Sequence, residues 1–190
     1  MRVAPVVVDV VSQRHGRDAA GTVMKPTADH WIPAYVGLGS NLQGPAGQIK
    51  TALELLAAIP ATRLIAQSSL YRVAPYGGVE QPDFVNAAAA LLTQLGARQF
   101  LSELKQIEAR RGRDANEVRW GPRVLDLDLL VYGSETIAEE DLVIPHPGIA
   151  ERNFVVLPLR ELAPELVIPG LGRLASLPVN RLEPRIEKNE

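Results

Sequence analysis

Cysteine is absent from this chain of 190 residues. Its absence excludes disulfide bonds, thiolate metal sites and a cysteine nucleophile, and it is compatible with the reducing cytoplasm, where we expect the protein to act. Long apolar runs are also missing, because a run such as residues 87–92 falls far short of the roughly 20 residues that cross a membrane. We therefore expect no membrane association.

An excess of positive charge is missing as well, because the formal net charge is −2. Proteins that bind nucleic acid through its phosphates need a basic surface, so we expect no nucleic-acid partner. Any anion site in this chain has to be a local arrangement of arginines. Such a group is present at Arg110, Arg111, Arg113, Arg119 and Arg123.

The length and the 46% content of hydrophobic residues fit one domain that buries its own core. Residues 1–30 are expected to form a poorly ordered extension, because Asp9 and Asp18 are atypical of a transit segment and the apolar part is too short for a secretory signal. Residues 171–190, interrupted by prolines and ending in charges, are expected to form a loose tail. The domain is therefore placed at residues 31–170.

The spacing of apolar residues between these ends alternates between a period of two and a period of 3.6. The resulting order, β-α-β-β-α-β, is typical of an α+β ferredoxin-like antiparallel sheet with both helices on one face. Further short helices are expected after Asn153. Two long loops, at residues 74–82 and 111–122, are expected to serve a site. The predicted strands are residues 31–38, 63–73, 84–92 and a fourth segment around Asp126, and the predicted helices are residues 46–59 and 96–112.

Two acidic residues, Asp126 and Asp128, stand inside the otherwise apolar run Leu125–Tyr132. Side chains of a strand alternate between its faces, so the two carboxylates point the same way, about 6.5–7 Å apart, and the intervening leucines point the other way. Neighbouring carboxylates repel each other and are costly to bury unless a cation lies between them. Two oxygen donors completed by water and phosphate are typical of Mg²⁺. The pair therefore predicts a divalent-cation site, beside which Arg119 and Arg123 would bind phosphate oxygens.

Each of these features also has a plainer interpretation. Asp126 and Asp128 would fit the solvated face of an amphipathic strand, although the adjacent Trp, Gly-Pro turn and arginines favour a site. The Gly37–Asn41 run lacks the third glycine of a dinucleotide-binding motif and is expected to form a tight turn. His146, between two prolines, is expected to be a turn residue bonded to the backbone. Glu108, near the end of a helix, is expected to pair with Arg111 or to contact a substrate.

Taken together, several motifs resemble the 6-hydroxymethyl-7,8-dihydropterin pyrophosphokinases of folate biosynthesis. The resemblance covers roughly residues 33–170, and its motifs occur in the order of the family. It implies an α+β ferredoxin-like enzyme that transfers the terminal diphosphate of ATP to the hydroxymethyl group of a reduced pterin and releases AMP. The motifs are Gly39-Ser40-Asn41, Gln81-Pro82-Asp83-Phe84-Val85-Asn86, Arg119-Trp120-Gly121-Pro122-Arg123, Leu125-Asp126-Leu127-Asp128 and Pro145-His146.

The resemblance also implies roles for individual residues, on a protein expected to act as a monomer with no partner other than its small-molecule substrates. Asp126 and Asp128 would hold two Mg²⁺ ions, and Arg113 and Arg123 would stabilise the phosphate chain. The contacts to ATP are implied at Glu108, Arg119, Trp120, Arg123, Leu129, His146 and Arg152. The contacts to the pterin are implied at Val73, Ala74, Tyr76, Phe84, Asn86, Trp120 and Phe154, with the two phenylalanines stacking on the ring and Trp120 closing over it.

The sequence departs from the family at three places. Residues 114–118 lack the extra basic residues common there, Pro147 stands where an aromatic residue commonly follows the histidine, and Phe84 replaces a frequent tyrosine. None of these changes removes an expected metal ligand. A metal-dependent phosphohydrolase or nuclease would also use paired aspartates and arginines, and a noncatalytic ferredoxin-like module that binds RNA is a third possibility.

Overall fold

The structure, a computed structural model, describes residues 30–75, 80–112, 121–179 and 184–188. Its first seven elements are β1 (Ile32–Ser40), α1 (Pro45–Ala57), β2 (Thr62–Gln67), β3 (Tyr71–Val73), β4 (Phe84–Thr93), α2 (Ala97–Arg110) and β5 (Asp126–Tyr132). Then follow β6 (Ile137–Glu139), β7 (Leu142–Ile144), α3 (Asn153–Leu162), β8 (Val167–Ile168), β9 (Gly172–Arg173) and β10 (Ile186–Lys188), with 3-10 turns at Pro147–Ile149 and Leu174–Ser176. In these ranges no helix has the length and apolarity needed to cross a bilayer.

The main sheet has the strand order β10-β3-β4-β1-β5, and β2 also pairs with β4. Every pairing in it is antiparallel. The first and third strands of the predicted order, β1 and β4, therefore lie at the centre. The predicted α+β ferredoxin-like architecture is confirmed.

The two faces of the sheet pack against different helices. Alternate residues of β1, among them Val36 and Leu38, join the core beneath α1 and α2, together with Leu127 and Leu129 of β5. The residues between them face the opposite side, where Tyr35 of β1 and Leu130 of β5 join α3 in a second, smaller apolar cluster. On this side α3 also packs against β4. Because α3 covers only part of this second face, the rest of the face is available for a pocket.

The connection from β1 to α1 differs from the expected tight turn at Gly37 and Gly39. Both glycines lie within β1, so that part of the prediction is wrong. The chain turns three and four residues beyond the end of β1, where Gln43 has φ 53° and Gly44 has φ 76°. Pro45 then begins α1, where its fixed φ suits a first helical position.

The predicted second strand, residues 63–73, is interrupted and forms β2 and β3. At the break, the Ser68 hydroxyl accepts a hydrogen bond from Ala88 N at 2.9 Å. The next residue, Ser69, donates its main-chain N–H and its hydroxyl to the Glu161 carboxylate of α3, at 3.3 and 2.8 Å. The ladder ends here because Ser68 bonds to β4 through its hydroxyl, and the N–H and hydroxyl of Ser69 bond to a side chain of α3 and not to a neighbouring strand.

The expected loose tail after residue 170 requires a correction. Leu174 is fully buried, and Arg160 donates to the carbonyl oxygens of Leu174 and Leu177 at 3.0 and 2.7 Å. Farther along, β10 adds an edge strand to β3. These contacts bury apolar surface and satisfy main-chain groups, so the described part of this segment belongs to the domain. The predicted N-terminal extension lies outside the described residues, apart from its last residue, His30.

Candidate active site

A pocket of about 260 Å³ opens on the face of the sheet opposite α1 and α2. Its lining comes from β1, β3, β4, β5, the segments before and after β5, and α3. The residues are Gly37, Leu38, Gly39, Val73, Ala74, Phe84, Asn86, Ala87, Gly121, Arg123, Asp126, Asp128, Leu130, His146, Arg152, Phe154 and Val155. Ten of the residues predicted from the sequence are thus gathered around one cavity.

Glycines of β1 form the floor of the pocket. Gly39 pairs with Asn86 of β4 on one side and with Asp126 of β5 on the other, and Gly37 likewise lies beside Asp128. A Cβ placed on Gly39 would lie 3.3 Å from Asn86 Nδ2 and 3.8 Å from the Asp126 Cβ. The missing side chains therefore leave a slot over the central strand, between a neutral amide and an acid.

The acidic wall follows the predicted alternation along β5. Asp126 and Asp128 both line the pocket, and Leu127 between them is buried on the helix side of the sheet. Arg123 Nη1 donates to Asp126 Oδ2 at 3.0 Å. The Asp128 side chain retains 38% of its exposure. The arrangement puts two carboxylates and a guanidinium at one end of the cavity.

His146 borders the same end. Its main-chain N–H donates to Leu130 O at 2.9 Å, and its Nδ1 accepts a hydrogen bond from Gly148 N at 3.0 Å. With Nδ1 acting as the acceptor, the neutral imidazole carries its proton on Nε2. Nε2 lies 3.9 Å from Asp128 Oδ1, beyond hydrogen-bond length. The backbone contacts confirm the plainer interpretation of His146, and they also aim a donor into the pocket.

The other end of the pocket is lined by aromatic and amide groups. Phe84 and Phe154 both border the cavity, and the Arg152 guanidinium lies 5.9 Å from the centre of the Phe154 ring. Asn86 Oδ1 is buried and has no hydrogen-bond partner among the described residues. An unpaired buried acceptor is costly, so it favours a ligand that carries an N–H group. This end suits a flat heterocycle with a polar edge.

Several predicted site residues lie elsewhere. Glu108 is 5% exposed and its Oε1 accepts a hydrogen bond from Leu127 N at 2.8 Å, so it lies on the helix side of β5. The neighbouring Arg111 donates Nε to Gln48 Oε1 at 3.2 Å. Leu129 belongs to the core under α1 and α2, and its side chain does not line the cavity. The predicted residues Tyr76, Arg113, Arg119 and Trp120 lie outside the described residues.

Sequence reasoning missed some of the pocket. The floor residues Gly37 and Gly39 were expected in a turn, although their spacing of two places both on one face of a strand. Leu130 and Val155 were not singled out, and Gly121 was quoted only as part of a motif, without a role of its own. Leu130 had a usable pattern, because it follows Asp126 and Asp128 at the same spacing of two. Nothing in the local sequence pointed to Val155.

The donor set fits a magnesium ion that is only partly bound by the protein. In the ranges that the structure describes, no group of three or more His, Asp or Glu side chains could hold a metal ion by itself. Asp126 and Asp128 nevertheless offer hard oxygen donors at the edge of an open cavity. Mg²⁺ is commonly held in this way, by one or two carboxylates with water and substrate phosphates completing the octahedron.

Comparisons of the sequence and of the fold with known proteins both lead to pterin pyrophosphokinases. The family model for 7,8-dihydro-6-hydroxymethylpterin-pyrophosphokinase (HPPK) matches residues 35–164. A 2-amino-4-hydroxy-6-hydroxymethyldihydropteridine pyrophosphokinase of Haemophilus influenzae is 46% identical over 139 residues, which cover 73% of this chain and 86% of the relative. The enzyme of the same name from Methylorubrum extorquens is 47% identical over 137 residues, with 72% and 86% covered.

Among solved structures, a single-substitution variant of Plasmodium falciparum HPPK-DHPS with SDX-DHP superimposes with a TM-score of 0.64 at 16% identity. The match covers 80% of this chain and 45% of the other, so the chain spans less than half the length of that protein, and the likeness supports the fold alone. The family is decided by the sequence matches, which cover more than two thirds of the chain and nearly all of the pocket. This chain therefore belongs to the HPPK family.

Proposed function

We propose that this protein transfers the diphosphate of ATP to the hydroxymethyl group of 6-hydroxymethyl-7,8-dihydropterin and releases AMP, a step of folate biosynthesis. Family membership supports the reaction, and its relatives are named for it. The observation that carries the proposal is the division of one cavity between an aromatic end with an unpaired amide oxygen and an acidic end with an arginine. Such a cavity accommodates a pterin beside a chain of phosphates.

The pterin occupies the aromatic end in this proposal. Phe84 and Phe154 stack on its ring, because offset contacts with aromatic side chains favour a flat heterocycle. Asn86 Oδ1 accepts a hydrogen bond from an N–H group of the ring, which removes the cost of a buried unpaired acceptor. Main-chain groups of Val73 and Ala74 complete the edge. The hydroxymethyl group then points along the glycine floor toward the acids.

The phosphates of ATP occupy the acidic end. Arg123 binds phosphate oxygens there, and Arg152, whose guanidinium lies against Gly148 as well as near the Phe154 ring, reaches them from the aromatic side. A guanidinium stays charged, and its planar fork matches phosphate oxygens. His146 donates from Nε2, and its backbone contacts fix the direction of that donor. Bound to Asp126 and Asp128, two Mg²⁺ ions would supply positive charge at the reacting phosphate. Arg113, Arg119, Trp120, Tyr76, Glu108 and Leu129 keep the roles that the family resemblance assigns to them as predictions.

The residues of the chain contribute mainly by positioning and by charge. Phosphoryl-type transfers require the attacking and leaving oxygens in line, and holding both substrates in one cavity supplies that alignment. Arg123 stays within reach of the phosphates while its Nη1 is bonded to Asp126, since a guanidinium has five donors. The acceptor of the hydroxyl proton is either Asp126 or Asp128, which are the carboxylates nearest the expected position of that group.

We further propose that the protein acts as a monomer in the cytoplasm. The described lining already supplies both the aromatic and the acidic end of the pocket, which is compatible with a monomer. The absence of cysteine is compatible with a reducing compartment.

The reaction products test the proposed function. Purified protein with Mg²⁺, ATP and 6-hydroxymethyl-7,8-dihydropterin should release AMP in a one-to-one ratio with the pterin diphosphate, as followed by ion-exchange chromatography. Omission of the pterin should stop the release of AMP, because the pterin hydroxyl is the acceptor. Formation of ADP, or equal AMP release without the pterin, would indicate a phosphohydrolase or another kinase in place of this transferase.

Replacement of Asn86 tests the assignment of the aromatic end. Asn86→Leu removes the unpaired acceptor while keeping a similar volume, so the KM for the pterin should rise roughly 10- to 100-fold, because one hydrogen bond to a buried group is lost. The KM for ATP should change little. Steady-state kinetics with each substrate varied in turn make the comparison. A larger effect on ATP than on the pterin would place the heterocycle elsewhere.

A further inference from the structure

One buried amide, that of Asn41, joins three segments of the chain. The residue is 3% exposed and directly follows β1. Its Nδ2 donates to Gln81 Oε1 at 3.0 Å and to Pro82 O at 3.1 Å. Its Oδ1 accepts a hydrogen bond from Arg123 N at 2.8 Å, and its own main-chain N–H donates to Arg123 O at 3.1 Å. From the sequence, Asn41 was expected only as part of a turn and of a family motif, without a role of its own.

These bonds reach opposite walls of the pocket. Pro82 stands two residues before Phe84, which opens β4 on the aromatic side. Arg123 stands on the acidic side, where its Nη1 donates to Asp126 Oδ2 at 3.0 Å. Both the N–H and the C=O of Arg123 are bonded to Asn41, so the main chain at Arg123 has a fixed orientation. The position from which the Arg123 side chain extends into the pocket is therefore fixed as well.

The chemistry of asparagine suits this position closely. A side-chain amide offers two donors and one carbonyl acceptor, and here the donors serve one segment and the acceptor serves the other. Aspartate of the same shape would keep the acceptor but lose both donors. Alanine would lose all of them, and with them the side-chain bonds to Gln81, Pro82 O and Arg123 N, while the main-chain bond to Arg123 O remains. Mutation can therefore distinguish the effect of losing the donors from the effect of losing the acceptor.

We infer that Asn41 is a positioning residue, which sets the distance between the pterin-binding wall and Arg123 of the phosphate-binding wall. This inference rests on the proposed function, since it concerns the alignment of the two substrates. Asn41 touches neither substrate in this arrangement and acts through Arg123 and through the segment that leads to Phe84. An in-line transfer is sensitive to such alignment, because a displacement of 1 Å can lower the rate roughly 100-fold.

Kinetic constants of Asn41 variants test the inference. Asn41→Ala should lower kcat roughly 10- to 100-fold and raise the KM for the pterin, since both walls lose their link. Asn41→Asp should recover most of the lost kcat, because the acceptor for Arg123 N remains, while the KM for the pterin stays high. The matched control is Ser40→Ala, which changes an equally buried neighbour whose hydroxyl bonds locally to Leu42 O at 3.5 Å. The control should keep near-normal constants.

Two further measurements separate positioning from a general loss of structure. Amide hydrogen exchange at Arg123 should be faster in Asn41→Ala than in Asn41→Asp or Ser40→Ala. In a double-mutant cycle, Asn41→Ala should lower kcat much less when Arg123→Ala is already present, because the guanidinium that Asn41 positions through the Arg123 main chain is then absent. Should Asn41→Ala fail to fold, Asn41→Asp and Gln81→Ala still give the pterin-specific rise in KM.

The possible outcomes distinguish this inference from the proposed function. If the unmodified protein makes no AMP, the proposed function fails, and the positioning role fails with it. If the unmodified protein is active but Asn41→Ala behaves like Ser40→Ala, the function stands and the inference is overturned. Equal kcat values for Asn41→Ala and Asn41→Asp, or additive effects with Arg123→Ala, also overturn it. The inference is supported if Asn41→Asp recovers kcat but not the KM for the pterin, and if the effect of Asn41→Ala on kcat depends on the presence of the Arg123 side chain.

Discussion

Asp128→Ala is expected to lower kcat by about 1,000-fold or more while leaving the fold intact. Asp128 lines the acidic end of the pocket beside Asp126, where the proposal places the metal ions. A bound metal ion contributes several kcal/mol of charge stabilisation, and each 1.36 kcal/mol corresponds to about a tenfold change in rate. The melting temperature should not fall, because the substitution removes repulsion between two neighbouring carboxylates from a side chain that is 38% exposed.

Calorimetric titration provides a second measurement for the same variant. The unmodified protein should bind ATP more tightly in Mg²⁺ than in EDTA, and this difference should shrink in Asp128→Ala. Asp141→Ala is the matched control, since this acid is 52% exposed and pairs with Arg98 away from the pocket. Near-normal turnover of Asp128→Ala, or an equal loss in Asp141→Ala, would contradict the assignment of metal ligands.

The acidic wall could be predicted from the sequence because it depends on one local rule. A strand places every second side chain on the same face, and this fixes Asp126 and Asp128 on one side and Leu127 on the other without knowledge of the rest of the fold. The order of strands and helices followed from similar local periodicity. The aromatic wall needed the family resemblance, because Phe84 and Phe154 are far apart in the chain and core residues would look the same.

Other features depend on contacts between distant segments and were not predicted. The break between β2 and β3 requires Glu161, which approaches Ser69 only after α3 has packed on the sheet. The edge strand β10 forms because the outer edge of β3 offers main-chain groups for pairing. Its three residues are too few to show the alternating pattern by which a strand is predicted. Asn41 looked like a turn residue, since its partners stand 40 and 82 positions along the chain.

The glycine floor leads to the second large expected effect. Gly39→Val should raise the dissociation constant for the pterin roughly 100-fold or more, and Gly39→Ala should raise it roughly tenfold, in line with an overpacking cost of about 1–3 kcal/mol. A Cβ at this position already lies 3.3 Å from Asn86 Nδ2, so alanine forces the amide to move by a few tenths of an ångström. The two methyl groups of valine would in addition occupy the slot that the ring requires.

The fold should tolerate these changes, because Gly39 lies in an extended strand, where valine is favoured, and its side of the sheet is open. ATP binding should weaken less than pterin binding, since the nearest atom of the acidic wall, the Asp126 Cβ, would be at an ordinary contact distance of 3.8 Å. Gly47→Ala is the control, because a Cβ there meets nothing within 4 Å. Isothermal titration with pterin and with ATP measures both affinities. Wild-type pterin affinity in Gly39→Val would mean that the ring does not lie over β1, and the division of the cavity into two ends would then have to be redrawn.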